Sequence, residues 1–313
     1  MRNDDSIFFK KLNPEARRRL IEKESKYQVV NTETGEIIQN YKPAPVVPYN
    51  QKQSYDKFSE LRQHHKENGG FVLALCEEGQ HVGERLENLT QAEYALLMVV
   101  GTYAAYPVDG NVFCYLRHDN GRYISKKGLV ELLNIAERTF RQFYGKLISN
   151  EIIEENEDGE KLAINPMYFF RGDLDTIKPF AGDMKSIRIY RQTIRDLNKK
   201  FTGKSRKQLG LVYAVLPFVH FRYNILCANP SENYTDDVTP LSLGTLAEFL
   251  GYGDPKKLRQ ALRGIRVNGR PVFQFVEDDK DVRKRKIIVN PKVMFGGNSE
   301  ALESISALFN ESN

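Results

Sequence analysis

Two distant stretches of this chain run through the same features in the same order, and a duplicated unit constrains a fold more than any single motif. Ile164–Gly172 reads INPMYFFRG and Val289–Gly297 reads VNPKVMFGG; both hold Asn-Pro, a Phe four residues after the Pro, and a closing Gly. Upstream, Tyr123–Gln142 (YISKKGLVELLNIAERTFRQ) aligns with Pro240–Gln260 (PLSLGTLAEFLGYGDPKKLRQ) through one inserted residue. Ser125 then matches Ser242, Leu129 matches Leu246, Glu131 matches Glu248, Leu133 matches Leu250, and Arg141-Gln142 match Arg259-Gln260. Further upstream, each copy has a long apolar helix candidate, Gln91–Ala105 and Lys207–Leu226.

The unit can be read physically. In the first copy Leu129, Leu132 and Leu133 share one helical face, with Ser125 placed to cap it. After a break at Asn134-Ile135, Phe140, Phe143, Tyr144 and Leu147 recur at i, i+3, i+4 and i+7. Ile152–Glu155, a turn at Asp158-Gly159 and Lys161–Ile164 then predict a β-hairpin. The second copy gives Leu246, Phe249 and Leu250, then Gly251-Tyr252-Gly253. Asp254-Pro255 supplies an N-cap with Pro at the first helical position, and Leu258, Ala261, Leu262 and Ile265 form the buried stripe. Its hairpin runs from Val272–Glu277 through Asp278–Asp281 to Arg283–Asn290. With the upstream apolar helix, the order is helix, helix, short turn, helix, hairpin, which is that of a winged helix-turn-helix. The expected fold is therefore mainly α with small β-hairpins, an α+β chain with two tandem winged helix-turn-helix domains.

This organisation divides the chain into an N-terminal extension over 1–88, a first winged-helix domain over 89–175, a basic connecting helix over 176–208, a second winged-helix domain over 209–297 and a polar tail over 298–313. In the extension, Ala16–Tyr27 is a helix candidate and Gln28–Asn31 with Glu36–Gln39 a small hairpin. Lys42–Pro48 reads as a Pro-rich linker and Phe71–Cys76 as a short apolar strand. The tail carries a stripe, Leu302, Ile305, Leu308 and Phe309, able to pack on the protein or on a partner helix.

Charge separates the two copies. The whole chain has a formal net charge of +5. Leu89–Asp175 holds 9 basic and 13 acidic residues, a net −4, whereas Met184–Gly297 holds 22 against 10, a net +12. A local excess of that size points to a polyanionic partner, most often nucleic acid. In the second copy Lys256, Arg259, Gln260 and Arg263 stand at i, i+3, i+4 and i+7, with Lys257 beside them, on the face away from Leu258 and Leu262. Such a row can lie in a major groove, where Arg reads guanine and Gln reads adenine. The first-copy counterpart is Arg138, Arg141, Gln142 and Gly145. Arg283-Lys284-Arg285-Lys286 on the second wing suits phosphates. The first wing instead carries Glu151, Glu154, Glu155, Glu157, Asp158 and Glu160; it is not expected on DNA, and Glu154, Glu155 and Glu157 become candidates for a protein contact. Met184–Lys207 has nine basic residues and one acid, with Arg188, Arg191 and Arg195 on one face if the segment is helical. It is expected to track a phosphate backbone or to be solvated between domains.

Other chemistry finds no support in the residues. Cys76, Cys114 and Cys227 are far apart, so neither a disulfide framework nor a zinc ribbon is expected. Gly203-Lys204-Ser205 resembles the end of a P-loop, but Asn198 stands where its first Gly is needed. His64-His65 has no metal-binding company, and no nucleophile–His–Asp set has recognisable context. No catalytic residue, metal or cofactor is expected, and the chain is expected not to be an enzyme. The longest apolar stretch, Tyr94–Ala105, is about half of the roughly 20 residues a membrane span needs. A cytoplasmic protein without a membrane partner is the expectation.

The run YISKKGLVELLNIAERTFRQFYGKLISNEII followed by INPMYFFRG resembles the winged-helix region of RepL-like replication proteins of Firmicute plasmids and phages, over Leu89–Gly172. In architecture, two tandem winged helices with a basic second copy also resemble iteron-binding plasmid initiators. That resemblance implies double-stranded DNA as the partner, contacted by both domains, with a homo-oligomer contact through the first. The expected role is replication initiation or its control in a plasmid or phage. Two alternatives stay open: a phage factor that binds host RNA polymerase or the replisome, and a transcriptional repressor.

Overall fold

The computed structural model describes residues 14–24, 30–31, 33–37, 49–80, 82–86, 88–108, 112–156, 160–277 and 285–310. The chain divides into two units, Met1–Glu60 and Leu61–Asn313. In the first, helix α1 covers Pro14–Glu24, and a turn with Gly35 at φ +73° brings Val30 opposite Ile37. The flanks of that small hairpin and the Pro-rich linker Lys42–Pro48 lie outside the described residues. Helix α2, Tyr49–Glu67, begins in this unit and ends in the second. The sequence reading has no helix there, because only Tyr55, Phe58 and Leu61 mark an apolar stripe among polar neighbours.

The second unit mixes helices and strands, as an α+β chain should. Its centre is a four-stranded antiparallel sheet of β1 (Phe71–Cys76), β5 (Phe169–Phe170), β6 (Lys185–Tyr190) and β9 (Met294–Phe295), in the order β9-β6-β1-β5. Phe170 pairs with Leu73, and Phe295 pairs with Arg188. Those two Phe hold equivalent places after the repeated Asn-Pro, so Leu73 and Arg188 are equivalent too. They are also paired with each other across the sheet. The two copies are therefore arranged about a pseudo-twofold axis through the Leu73–Arg188 pair, with central strands inside and closing strands outside.

In the same order along each copy, helix α3 (Gln91–Gly101) corresponds to helix α7 (Arg206–Ala214), which pack on one another, and the bridge Ala104–Leu116 corresponds to the bridge Val219–Leu226. Gly210 makes the helix crossing close: a Cβ there would stand 1.6 Å from the Gln91 carbonyl oxygen. Buried residues of both copies, such as Leu97, Phe143 and Phe169 with Val212, Leu262 and Phe273, belong to one continuous core.

Beyond the crossing, each copy continues as its local signals predict. In the first, α4 (Lys126–Leu133) is followed by α5 (Glu137–Ser149) and by strands β3 (Ile153–Glu155) and β4 (Leu162–Ile164), to which β2 (Cys114–Tyr115) adds a third. In the second, α8 (Leu243–Phe249) and α9 (Pro255–Arg263) precede β7 (Phe273–Val276) and β8 (Lys286–Val289). Ser125 and Ser242 accept from the backbone N–H three residues on, caps that contribute about 1 kcal/mol each. The turn between the paired helices places Asn134 and Gly251, equivalent residues, in the left-handed region.

The Asn-Pro repeat has one physical origin. Asn165 Oδ1 accepts from Met167 N, and Nδ2 donates to the Glu151 carbonyl; Asn290 repeats this with Lys292 N and the Pro271 carbonyl. The closing glycines fit because the ring of Phe170 or Phe295 folds over them, 2.7 Å from where a Cβ would sit on Gly172 or Gly297.

Two expectations change, and one open alternative is settled for the tail. Lys207–Leu226 is not one helix; α7 ends at Ala214 and a 3-10 turn with Pro217 follows. The connecting segment is not one basic helix but strand β6 and then helix α6 (Arg191–Lys200), since Ile187 and Ile189 alternate into the core before a helical stripe of Ile194 and Leu197 begins. The tail is helix α10 (Ser299–Asn310), whose Leu302, Ile305 and Phe309 pack on Tyr190, Ile288 and Phe295 of the protein itself.

Candidate nucleic-acid interface

Helix α9 starts where Asp254 Oδ1 accepts from Lys256 N at 2.8 Å, with Pro255 in the first turn. Leu258 and Leu262 are fully buried, so the helical period turns Lys256, Lys257, Gln260 and Arg263 to solvent, while Arg259 is half-buried. The free face is the predicted cationic row. It is restrained by a residue the sequence reading passed over. Glu277, just past β7, accepts from Arg259 at 2.8 Å and from Arg263 at 3.3 Å. Both guanidinium groups also lie over the Phe275 ring, at 5.4 and 5.3 Å. No periodicity could have found this clamp, because it depends on how the hairpin folds back over the helix.

A groove of about 420 Å³ runs between the start of α8 and the hairpin, lined by Ser242, Leu243, Arg259, Phe275 and Lys286. Arg285 and Lys286 are carried at the start of β8. Arg283 and Lys284 lie outside the described residues.

The first copy builds the same frame with other charges. Arg138, Arg141 and Gln142 are exposed on α5, and Arg141 pairs with Glu137 one turn back at 2.8 Å. A groove of about 850 Å³ is lined by Arg141, Tyr144, Ile148, Glu151, Glu154 and Glu155. Tyr144 donates to Glu155, and Lys126 sits 3.6 Å from that carboxylate and 4.3 Å from the Tyr144 ring centre. Burial, and then Glu155, push the Tyr144 hydroxyl pKa up, so it remains a donor. Glu154 is exposed; Glu157 lies outside the described residues.

Arg188, Arg191 and Arg195, expected on phosphates, are engaged inside the protein. Arg188 lies on β6 and donates to the Gly297 carbonyl at 2.8 Å. Arg191 donates from Nε to the Thr102 carbonyl and from Nη2 to Asp119, each at 2.6 Å. Arg195 donates from Nη1 to the other Asp119 oxygen at 2.6 Å and lies 3.8 Å over the Tyr103 ring. The side chains of Arg191 and Arg195 are only 9% and 10% exposed. Their spacing is that of a helix face, but the face they occupy is turned to the first copy.

Asp119 is the only carboxylate bound to this arginine pair among the described residues, which makes it testable. Burial alone would raise its pKa, but hydrogen bonds and charge from Arg195, then Arg191, hold it below the ordinary 3.8. A depressed carboxyl contributes stability above its unfolded pKa and loses it as pH falls through the folded one. Asp119→Asn is therefore expected to cost about 1–3 kcal/mol at neutral pH, the lower figures reflecting a carboxylate still open to water. Melting curves of both proteins should converge on acidification below that carboxylate range.

The histidine pair is structural: His64 donates from Nε2 to the Pro291 carbonyl at 2.9 Å, and His65 packs on Phe71. Among the described residues no group of His, Cys, Asp and Glu could hold a metal ion, and no helix is long and apolar enough to cross a membrane. No known family, curated protein or solved structure matches this chain.

Proposed function

We propose that this chain is a double-stranded DNA-binding protein of a plasmid or phage, without catalytic chemistry of its own, that acts in replication initiation or its control. In this reading each copy is a winged helix-turn-helix, α5 and α9 are the recognition helices, and the two hairpins are wings. The supporting observation is the cationic face of α9, two of whose arginines Glu277 holds, beside a hairpin strand that also carries cations, within a segment of net charge +12. Arg259, Gln260 and Arg263 read base edges, and the cations of the second wing neutralise phosphates. Glu277 holds both arginines in the unbound protein and gives them up to guanine or phosphate.

A second reading of the first copy is favoured by its groove. Four exposed glutamates on or beside the described part of its hairpin, Glu151, Glu154, Glu155 and Glu160, repel phosphate and suit a basic protein segment. Host replisome or RNA polymerase would be such a partner, and a repressor role differs only in where the DNA site lies.

Selection of binding sites from random duplexes, with the purified protein and its variants, tests the principal reading. Arg259→Ala or Arg263→Ala is expected to cost about 1–3 kcal/mol in specific binding and to relax preference at one base position. Glu277→Gln, which releases both guanidinium groups, is expected to tighten binding to every duplex. An unchanged base preference in both arginine variants removes α9 from the interface.

A further inference from the structure

Away from both grooves, a cavity of about 400 Å³ opens where helix α6 meets the loops of the first copy. Four guanidinium groups line it, those of Arg117, Arg171, Arg191 and Arg195, with Asp119 as its one carboxylate. Asp119 accounts for Arg191 and Arg195, as described above. The other two have no carboxylate partner among the described residues. Arg171 lies 4.5 Å over the Tyr106 ring and donates to the Ala104 carbonyl only at 3.5 Å. Arg117 lies 4.2 Å over the Tyr123 ring and donates to its hydroxyl. The Nε–H of each is buried and has no hydrogen-bond partner among the described residues.

Among the described residues, four cations against one carboxylate leave an excess of three positive charges around one small space. Removing like charges from water without compensation is costly. Burial, and then the charges of Arg171 and Arg195, depress the Arg191 pKa.

The other copy, related by the pseudo-twofold axis, places different residues at the corresponding positions. The positions equivalent to Arg191 and Arg195 in the first copy are Cys76 and Gln80. At that counterpart corner Glu78 accepts from Ser231 N at 2.9 Å and from its hydroxyl at 2.5 Å. There the chain after the central strand makes a turn rather than a ten-residue helix, and a neutral hydroxyl meets the carboxylate.

We propose that the arginine-lined cavity beside α6 is a binding site for a phosphate group. The guanidinium fork is the side-chain donor best matched to phosphate oxygens, and a dianion would offset most of the local excess. Asp119 keeps Arg191 and Arg195 in place, while Arg117 and Arg171 supply the uncommitted donors. Tyr106, 62% exposed at the rim, offers a ring on which a base can stack. The phosphate can belong to a free phosphorylated small molecule or to a DNA backbone running past the cavity, and the two sources separate by experiment.

The probe for the first source is pyrophosphate, titrated calorimetrically into the full-length protein, with sodium chloride at matched ionic strength as the reference. The double variant Arg117→Gln, Arg171→Gln is expected to bind it at least about tenfold more weakly, the effect of losing charge-assisted hydrogen bonds. A wild-type measurement guards against a variant that fails to fold: pyrophosphate should slow phenylglyoxal modification of Arg117 and Arg171, read by peptide mass spectrometry. The second source is tested by the salt dependence of duplex binding. If pyrophosphate neither binds nor protects, but the double variant lowers that slope by about one to two units, the backbone is the source. If the two arginines affect neither measurement, the site does not exist. Failure of the DNA reading is distinct: a protein that binds no duplex, or whose duplex affinity is untouched by neutralising the second wing, but that still binds pyrophosphate through Arg117 and Arg171, overturns that reading and leaves this one standing.

Discussion

Gly210→Ala is expected to destabilise the protein by about 3 kcal/mol or more, among the largest effects available to one methyl group. The new Cβ would lie 1.6 Å from the Gln91 carbonyl oxygen and 2.7 Å from its carbon. Backbone cannot yield as a flexible side chain can, so α3 and α7 must separate. Both helices are buried along most of their length, and separation opens the core shared by the copies. For a unit of this size the melting temperature should fall by about 6–12 °C. Gly145→Ala is the control. It stands in the middle of α5 with nothing within 4 Å of its Cβ position, so alanine should stabilise by roughly 0.5–1 kcal/mol. Thermal melts of the two variants should move in opposite directions; a Gly210→Ala melt at the wild-type temperature would mean that the helices are not packed as described.

Replacing Arg283, Lys284, Arg285 and Lys286 by Ala is expected to weaken binding to all duplexes alike. Each phosphate contact releases condensed counterions, so losing up to four should flatten the log–log salt dependence by roughly two to four units. At about 0.1 M salt the affinity loss should be on the order of a hundredfold or more, equal for cognate and scrambled sequence. The arginine variants of α9 should instead lose preference and little slope. Anisotropy titrations across a salt series tell the two apart. If slope and affinity both stay at wild-type values, the run does not contact DNA and the wing has no part in binding.

Local signals made part of this fold legible. Ser125, Ser242 and Asp254 cap their helices from within a few residues, and the stripes of Phe140–Leu147 and Leu258–Ile265 state a period of 3.6 over two turns. The central sheet was not legible, because β1 and β6 each hold six residues and find their partners more than a hundred positions away. Phe71–Cys76 reads as a strand, but nothing in it names β6. Arg188, Arg191 and Arg195 mislead for a related reason. Three- and four-residue spacing marks a helix face, yet Arg188 precedes the helix on a strand, and the face holding the other two is covered by Thr102 and Asp119. The cationic row of α9 was legible because buried Leu258 and Leu262 fix which side remains. Its restraint by Glu277 depends on the hairpin's return path, which no local pattern encodes.

The palindromic sheet also bears on how such a molecule changes over time. Two identical subunits meeting on a dyad are tied to one gene, so any substitution appears on both sides at once. Two copies in one chain are free of that tie and keep the joint. One half carries an acidic hairpin and the other a basic one, and one corner holds four arginines where its counterpart holds Glu78 and Ser231. The joint is covalent across its halves, so the difference in charge between them does not depend on how much protein is present.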